Sequence, residues 1–482
     1  MPAAGKRDTP GYSSEPGFIT IFGTWEYYDG RESDYVAAKG FIVDLLSDSG
    51  DFLGLDYTDD YGDFSITGIN PGEKVFVRIY TYDLYYIGGS LHEIMVAPSD
   101  SGGDYWEAYS RDSAKYGPYS DGSYNLGTLY VPSWLDELDA WWIKDDLDDG
   151  FQFLPDKVGD YFADWDPDWG RDNMFCVCPV PYLICDTLGH IQLACNAAKG
   201  NPDHVLHEMG HAVMWNVYDE YWPISCLQYA SGYCIEHYLN LASGDECAWT
   251  EGWANLWAIA VKGSPYLFGY NLETPTWGTS GWDDGDMVEG RVAGALWDIY
   301  DDPNDGYDQY DGEFDDIWDT IYNQTDDTFA EFWEAWKARG HNIWDAVGSV
   351  YQNTIKYGAV ITGETGEVRC DVLPGVTVEL FKNNILRWST TSDDEGSYEV
   401  IAAKTGSYEV VASKSGFREL DSQEINITDL QEIYTLDFLA ETGLVPNAAT
   451  MSYALECVSH WLYPPSEKCK LSMTKALEAV SA

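Results

Sequence analysis

The sequence predicts a multidomain protein with a β-sandwich, then an α-rich (α+β) domain, then a second β-sandwich and a short helical tail. Residues 18–132 and 357–440 contain short runs of alternating apolar and polar residues separated by turn residues, as in the strands of β-sandwiches. In residues 133–351 the apolar residues instead recur at helical spacing. A chain of 482 residues is long enough for about three domains.

The first β-sandwich is predicted to follow an N-terminal extension, residues 1–17. Residues 18–23 and 75–80 alternate as half-buried strands do, and clusters of Asp, Asn, Pro and Gly between such runs mark turns. A weaker copy of the turn pattern D-x-x-G-x-aromatic occurs at residues 60–64. The composition changes at residues 131–133, where the α-rich domain is predicted to begin.

The α-rich domain contains the pattern H-E-x-x-H at His207–Glu208–Met209–Gly210–His211. Asn201 is a favourable N-cap and Pro202 suits the first helical position, so a helix is predicted there. Two histidines four residues apart share one helix face and can bind one zinc ion, while Glu208 beside them can accept a proton from metal-bound water. Two solvated surface histidines are the alternative, which the low histidine count, 8 in 482 residues, disfavours.

A third zinc ligand is predicted at Glu251, in the first turn of a helix that begins around Trp249 and ends near Gly263. Three protein ligands leave a fourth position for water, which is the arrangement of catalytic rather than structural zinc. Acidic residues also favour helix N-termini for electrostatic reasons alone, so Glu251 by itself supports both interpretations.

The H-E-x-x-H pattern, followed about forty residues later by Glu251-Gly252-Trp253-Ala254-Asn255, resembles the gluzincin metallopeptidases of the thermolysin-like superfamily. The resemblance covers roughly residues 133–350. It implies a zincin fold in which His207, His211 and Glu251 bind zinc and Glu208 is the general base. The family often has Asp at the position of Asn255, where it orients a ligand histidine; an amide oxygen can accept the same hydrogen bond without the full charge.

A third predicted helix, residues 287–300, occupies the place where gluzincins carry a residue that stabilises the oxyanion. Arg291 and Tyr300 are the candidates for this role. An ion pair of Arg291 with Glu289 or Asp298 is an equally weighted alternative. The sequence offers three isolated histidines as further options, and an isolated histidine is more often structural than catalytic: His204, His237 and His341.

The second β-rich block, residues 357–440, alternates clearly at 376–381, has a turn at Asn383-Asn384, and carries the D-x-x-G-x-aromatic turn within 390–400. It resembles the carboxypeptidase regulatory-like domains, which are transthyretin-like sandwiches. The tail, residues 441–482, is predicted to form a helical pair that packs on its own β-domain, or alternatively a dockerin-like assembly segment.

The acidic composition fits either a salt-adapted protein or an extracellular protein that binds calcium, and the even number of cysteines favours an extracellular or cell-surface location. A net charge of −56 disfavours nucleic acid and anionic lipid as partners. The sequence contains no run of eighteen apolar residues, so no membrane span is predicted. Residues 1–17 lack the apolar core of a signal peptide, so we expect a processed chain. Ten cysteines favour disulfides, with one predicted between Cys234 and Cys247. The cluster at residues 176–195 favours disulfides over a second metal site.

Acid-rich segments at residues 301–308 and 311–316 suggest Ca²⁺ as a second cofactor, although such runs are more often solvated surface. The predicted function is an extracellular zinc peptidase, most simply an endopeptidase acting on protein or peptide substrates. One alternative is a structural subunit of a cell-surface or filamentous assembly, joined through sandwich edges or the tail, with a vestigial peptidase domain. Another is an adhesin whose 36 Tyr and 21 Trp bind glycans.

Overall fold

A computed structural model describes most of the chain. The described residues are 17–87, 90–98, 105–135, 138–159, 174–177, 192–194, 201–219, 221, 223–224, 234, 237–274, 277–302, 306–367, 372–415 and 422–440. The chain divides into two compact units, Met1–Trp222 with Trp257–Ser264, and Pro223–Leu256 with Pro265–Ala482. The predicted helical tail, 441–482, and most of the 1–17 extension lie outside the described residues.

The strands of the first unit form three four-stranded sheets, in the orders β10-β1-β2 with β5 also on β1, β4-β3-β6-β9, and β12-β11-β8-β7. The strands are β1 (Phe18–Asp29), β2 (Asp34–Ala37), β3 (Ile42–Ser47), β4 (Phe52–Tyr57), β5 (Asp63–Ile69), β6 (Val75–Tyr80), β7 (Tyr82–Ile87), β8 (Ser90–Pro98), β9 (Ser110–Asp112), β10 (Gly122–Val131), β11 (Met174–Val177) and β12 (Gln192–Ala194).

Strand β1 organises the first of these sheets. It pairs in parallel with β10 along one edge, and antiparallel with β5 and then β2 along the other. Every second side chain of β1 is buried, including Ile19, Ile21, Trp25 and Tyr27. Because side chains alternate between the two faces of a strand, this pattern gives β1 one core face, as the sequence alternation predicted.

The turn pattern D-x-x-G recurs with the same backbone geometry in both β-rich regions. Asp59 Oδ1 accepts hydrogen bonds from the backbone N–H groups of the residues two and four positions later, at 2.9 and 3.0 Å. Asp393 Oδ1 does the same at 3.0 and 2.7 Å. Gly62 and Gly396 both have φ of 77°, a conformation that glycine adopts without steric penalty. The carboxylate of the first turn therefore belongs to Asp59, and the predicted start at Asp60 was one residue late.

The first unit also contains helices α1 (Asp139–Val158) and α2 (Pro202–Val217). These helices pack closely where Gly150 of α1 faces Met209 of α2. A Cβ added to Gly150 would lie 2.3 Å from Met209 Sδ, so a larger residue here would force the flexible Met209 side chain to move. The missing side chain at Gly150 thus lets Met209, on the helix that carries the H-E-x-x-H pattern, pack against α1.

Helix α1 buries a lysine completely. Lys144 Nζ pairs with Asp148 on the same helix, donates to the Gly40 carbonyl at 2.7 Å and lies 3.6 Å from Asp83 Oδ2. It also lies 4.2 Å from the centroid of the Phe41 ring. Because both carboxylates are buried as well, the ammonium group provides charge compensation that water cannot supply here.

The second unit contains most of α3 (Asp245–Lys262), whose residues 257–262 count with the first unit. Its other helices are α4 (Glu289–Tyr300), α5 (Phe314–Asn323), α6 (Phe329–Arg339) and α7 (Ile343–Gln352). Its strands are β13 (Tyr266–Leu267), β14 (Tyr270–Asn271), β15 (Ala359–Glu367), β16 (Thr377–Lys382), β17 (Ile385–Thr391), β18 (Ser397–Ala402), β19 (Gly406–Ser413), β20 (Gln423–Ile427), β21 (Ile433–Thr435) and β22 (Phe438–Ala440). Short 3-10 helices lie at Tyr105–Glu107 and Gly285–Met287.

The last eight strands form two four-stranded sheets, β18-β15-β21 with β22 also on β15, and β17-β16-β19-β20. Strands β16 and β17 are joined by the two residues Asn383 and Asn384, both with positive φ, at 54° and 61°. This is the backbone of a two-residue hairpin turn, and asparagine tolerates it well. The turn predicted at this dipeptide is therefore confirmed.

The predicted combination of β-sandwich-like sheets with a helical region is confirmed at this coarse level. The zincin fold of the helical region and the proposed domain boundaries remain predictions. Among the described residues, no helix is both long and apolar enough to cross a membrane.

A histidine in the second unit is held by two carboxylates. His341 Nδ1 lies 3.2 Å from Asp316 Oδ1, and its Nε2 lies 3.1 Å from Asp319 Oδ2. The hydrogen bond to Asp316 raises the pKa of His341 and lowers the pKa of Asp316. Asp319 also bonds Arg339, which lowers the pKa of that carboxyl group.

We expect Lys144→Met to lower the free energy of unfolding by about 3–5 kcal/mol, because it leaves Asp148 and Asp83 buried without their cation. Denaturation followed by tryptophan fluorescence measures the change. Lys115→Met is the matched control, since Lys115 pairs with Asp48 at the exposed surface, where a pair contributes less than about 1 kcal/mol. Equal destabilisation by the two substitutions would contradict the role assigned to Lys144.

We expect His341→Ala to destabilise the protein more at pH 5.5 than at pH 8.5. A histidine whose pKa is raised on folding stabilises the native state below its unfolded pKa of 6.5, and that contribution is lost as the pH rises through the folded pKa. Denaturation at both pH values measures the difference. Thr328→Ala removes an uncharged N-cap of α6 and should have the same effect at both. A pH-independent loss for His341→Ala would refute the assignment.

Candidate metal centre

Helix α2 begins as the sequence predicted. Asn201 is its N-cap, and the side-chain oxygen accepts a hydrogen bond from the backbone N–H of Asp203 at 3.0 Å. Pro202 occupies the first helical position. Asp203 in the first turn pairs with Lys262, in the last turn of α3, and so links the start of one helix to the end of the other. The N-cap and this ion pair stabilise the first turn of the helix that carries the H-E-x-x-H segment.

The two histidines of the pattern lie side by side. The ring centroids of His207 and His211 are 4.7 Å apart and the rings are nearly perpendicular, at 84°. Both side chains are buried, and so is Glu208 between them in sequence. Two imidazoles a helical turn apart on one buried face are suited to a shared metal ion.

Helix α3 begins at Asp245, four residues before the predicted start, so Glu251 lies in its second turn and not in its first. Gly244 has φ of 106° and interrupts the helix immediately before Asp245. The acidic residues of the first turn are Asp245 and Glu246, which carry the favourable interaction with the helix N-terminus. That interaction therefore does not explain Glu251, and the alternative considered for this residue loses its support.

The glycine after Glu251 has a structural role. A Cβ on Gly252 would lie 2.5 Å from Val292 Cγ1 and 3.0 Å from the Glu289 carbonyl oxygen, both on α4. Only glycine permits the backbones of α3 and α4 to approach this closely. Gly252 consequently brings Glu251 next to the start of α4.

The carboxylate of Glu251 is buried between a disulfide and a histidine. The predicted disulfide Cys234–Cys247 is present, with Cα atoms 5.6 Å apart, and Cys234 Sγ lies 3.7 Å from Glu251 Oε1. On the other side, His237 Nε2 lies 3.7 Å from Glu251 Oε2. The disulfide thus connects the chain before α3 to the carboxylate predicted to bind metal.

The three predicted zinc ligands are all buried side chains with the right donor atoms. His207 and His211 belong to the first unit and Glu251 to the second, and their binding of one ion remains a prediction. Two imidazoles and one carboxylate are a donor set of catalytic zinc, which binds such atoms at about 2.0–2.2 Å and keeps a position for water. Asn255, fully buried one turn after Glu251, remains the predicted partner of a ligand histidine.

The structure places Arg291 and Tyr300 at opposite ends of α4. Arg291 is fully buried, its Nε donates to the Trp282 carbonyl at 2.8 Å, and its Nη2 lies 3.4 Å from Asp283 Oδ1. Asp283 is thus one ion-pair partner of Arg291, and Asp298, which the sequence analysis had offered with Glu289, also interacts with it electrostatically. Burial lowers the pKa of Arg291. Tyr300 is the last residue of α4, and its ring packs against Trp297 and Phe314.

His237 is more closely associated with Glu251 than the sequence indicated. Its Nδ1 lies 2.7 Å from Glu289 Oε2, while its Nε2 faces Glu251. An isolated histidine with no motif spacing gave no stronger signal than His204 or His341. Its importance depends on Gly252, because only the close packing of α3 on α4 brings both glutamates to one imidazole.

The acid-rich segments proposed for Ca²⁺ are engaged with protein donors where they are described. Asp308 Oδ1 accepts from Ser349 Oγ at 2.6 Å and from the Tyr310 N–H at 3.1 Å, and Asp316 accepts from Tyr310 and His341. Within the described residues, neither segment assembles three possible ligand atoms. Ca²⁺ remains a prediction, and the side chains of the 176–195 cysteine cluster lie outside the described part.

Comparisons with known protein families give two matches. Residues 163–354 match the Mycolysin C-terminal domain, and residues 358–440 match the carboxypeptidase regulatory-like domain. The second match coincides with the resemblance predicted for the second β-rich block. Neither match spans half of the chain, and no curated protein matches it. Together the two matches support a peptidase-associated multidomain protein.

Solved structures give only remote likenesses. A chlorocatechol 1,2-dioxygenase from Pseudomonas putida is 14% identical over 17% of this chain and 60% of that one, with a TM-score of 0.14. A 9R-lipoxygenase from Cyanothece PCC8801 is 15% identical over 47% of this chain and 30% of that one, with a TM-score of 0.18. The chain covers less than two thirds of the dioxygenase, and scores this low carry no structural or functional argument.

We expect removal of the disulfide by Cys234→Ala with Cys247→Ala to destabilise the protein by about 3 kcal/mol and to weaken zinc retention, because the closed loop then no longer restrains Glu251. Thermal unfolding and zinc loss to a chelator measure the two effects. Ile224→Val is the control. Ile224 belongs to the same buried cluster as the two cysteines, but its substitution leaves the disulfide intact. Zinc retention equal to that of the control would contradict a link between disulfide and metal.

Proposed function

We propose that the protein is an extracellular zinc-dependent peptidase, most simply an endopeptidase. The observation that carries the proposal is the pair of buried imidazoles of His207 and His211, whose ring centroids are 4.7 Å apart, with the buried Glu208 next to them on α2; Glu251 would supply the third ligand. The match of residues 163–354 to the Mycolysin C-terminal domain supports a peptidase-related function and a protein substrate. The predicted disulfide, which is present at Cys234–Cys247, supports an oxidising compartment.

The residues divide the proposed chemistry among them. His207, His211 and Glu251 would hold zinc, which when bound lowers the pKa of a coordinated water and polarises the scissile carbonyl. Glu208 follows His207 directly on α2, and its buried carboxylate would take the proton from the attacking water and return it to the leaving amine. Burial strengthens these interactions because little water competes for the same groups.

Stabilisation of the oxyanion is assigned to the start and end of α4. Arg291 and Tyr300 remain the proposed donors, and the two differ in how they are held. The guanidinium of Arg291 already bonds Trp282 and Asp283, so it would need to exchange a partner to reach a substrate. The ring of Tyr300 packs against Trp297 and Phe314, so its position depends on aromatic contacts at the end of α4.

A structural or adhesive role is the competing proposal. A domain kept only for structure could retain metal ligands for stability but would have no need for a general base, and Glu208 is intact. The aromatic residues proposed for glycan binding include several that are fully buried, such as Trp249, Trp253 and Trp336, which fill the core instead. The family matches give no support to self-assembly.

We expect Glu208→Gln to lower kcat for a casein or peptide substrate by about 10²–10⁴-fold while bound zinc is unchanged, because the amide cannot accept the proton. Hydrolysis assays and elemental analysis of the same preparation measure the two quantities. Glu334→Gln changes an exposed carboxylate and should leave both unchanged. Hydrolysis that survives Glu208→Gln, or protein that takes up no zinc, would disprove the proposed mechanism.

A further inference from the structure

A group of potential metal ligands surrounds Glu251 within the second unit. His237, Glu251 and Glu289 each offer one ligand atom, and these atoms lie within 4.8 Å of one another. All three residues belong to the second unit. The group includes Glu251, so one carboxylate is common to both sets of ligands.

The electrostatics of this group favour a cation. The side chains of Glu251 and Glu289 are only 7% and 4% exposed, and both carboxylates face the same imidazole. A divalent cation would balance these two buried negative charges, since carboxylates are stable in the interior only with a cation or hydrogen-bond donors close by.

The geometry of His237 matches that of a metal-ligating histidine. Its Nδ1 lies at hydrogen-bond distance, 2.7 Å, from Glu289 Oε2, and a carboxylate oxygen there accepts the Nδ1–H of the tautomer whose Nε2 is bare. The lone pair of Nε2 is then directed to Glu251 Oε2, at 3.7 Å. This separation exceeds a normal hydrogen bond but suits two atoms that bind one ion at about 2.0–2.2 Å each. Ligand histidines commonly donate their other ring N–H to a carboxylate.

We propose that His237 Nε2 and Glu251 bind a second divalent cation of the Zn²⁺ type, with Glu289 orienting the imidazole. Glu251 is also the predicted third ligand of the proposed zinc site. Two direct protein ligands make the second site the weaker of the two, with water completing its coordination. The proposal rests on the proposed function for its role in hydrolysis, since adjacent cations can share the negative charge that develops on reacting oxygens.

The site has an exposed side through which an ion can exchange. The side chain of His237 is 23% exposed, whereas the two glutamates behind it are almost fully buried. The second ion is therefore expected to equilibrate with free metal, and its occupancy should depend on the concentration of Zn²⁺ in the medium.

Zinc stoichiometry tests the proposal. The full chain is equilibrated with increasing free Zn²⁺, and bound zinc per chain is measured by elemental analysis. We expect two ions per wild-type chain, one for His237→Ala, and a 10–100-fold weaker second ion for Glu289→Gln, which loses the orienting charge but keeps the side-chain size. Co²⁺ in place of Zn²⁺ should give two sets of visible bands in the wild type and one in His237→Ala.

His341→Ala is the matched control, because His341 is also held by two carboxylates, through both ring nitrogens. It should retain two ions. A wild-type chain that binds no more than one ion, or a stoichiometry unchanged in His237→Ala, overturns the proposal in favour of a protonated His237 between the two glutamates. Circular dichroism confirms folding, and Glu289→Gln decides the matter if His237→Ala does not fold.

The same measurements separate this proposal from the proposed peptidase function. One ion that is lost in His207→Ala but kept in His237→Ala, together with hydrolysis by the wild type, refutes only the second site. An ion lost in His237→Ala from a wild-type protein that hydrolyses no peptide refutes the peptidase function and leaves the second site standing.

Discussion

The scarcity of positive charge is the constraint on which the rest of this structure depends. The chain has 26 basic residues for 82 acidic ones, so a carboxylate that enters the interior has few cations available to it. The first unit meets the requirement with Lys144, fully buried between Asp148 and Asp83. Desolvated carboxylates remain stable only where such a partner or several N–H and O–H donors surround them. Each buried cation therefore contributes to the stability of the fold.

The same need for positive charge applies to the buried carboxylates of the candidate metal centre. Glu251 and Glu289 bring two carboxylates into the interior next to His237. Histidine compensates charge only when it is protonated, whereas a divalent ion does so over a wider pH range and binds neutral imidazole. The metal ion that we propose would therefore supply the positive charge that two buried glutamates require.

Much of the site could be predicted from the sequence because its determinants are local. The helix of His207 and His211 follows from a cap, a proline and periodic apolar residues, and the Asn383-Asn384 turn follows from the backbone preference of asparagine. The disulfide was predicted because Cys234 and Cys247 flank the loop between the two predicted zinc helices. His237 was offered only as one of three isolated histidines, and its place beside Glu251 was not predicted because it depends on contacts between distant segments. No spacing in the sequence reveals that Glu289 will lie 2.7 Å from His237.

Gly252 and the Cys234–Cys247 disulfide restrain Glu251 in complementary ways. The glycine fixes α3 against α4 through a contact that any side chain would block, and the disulfide ties the preceding loop to the start of α3. One restraint is steric and the other covalent, and the Glu251 carboxylate lies where they meet. A metal site needs ligands held in place before the ion arrives, since ordering them on binding would weaken affinity. In the dipeptide Glu251-Gly252, the first residue therefore supplies the carboxylate and the second permits the helix packing that positions it.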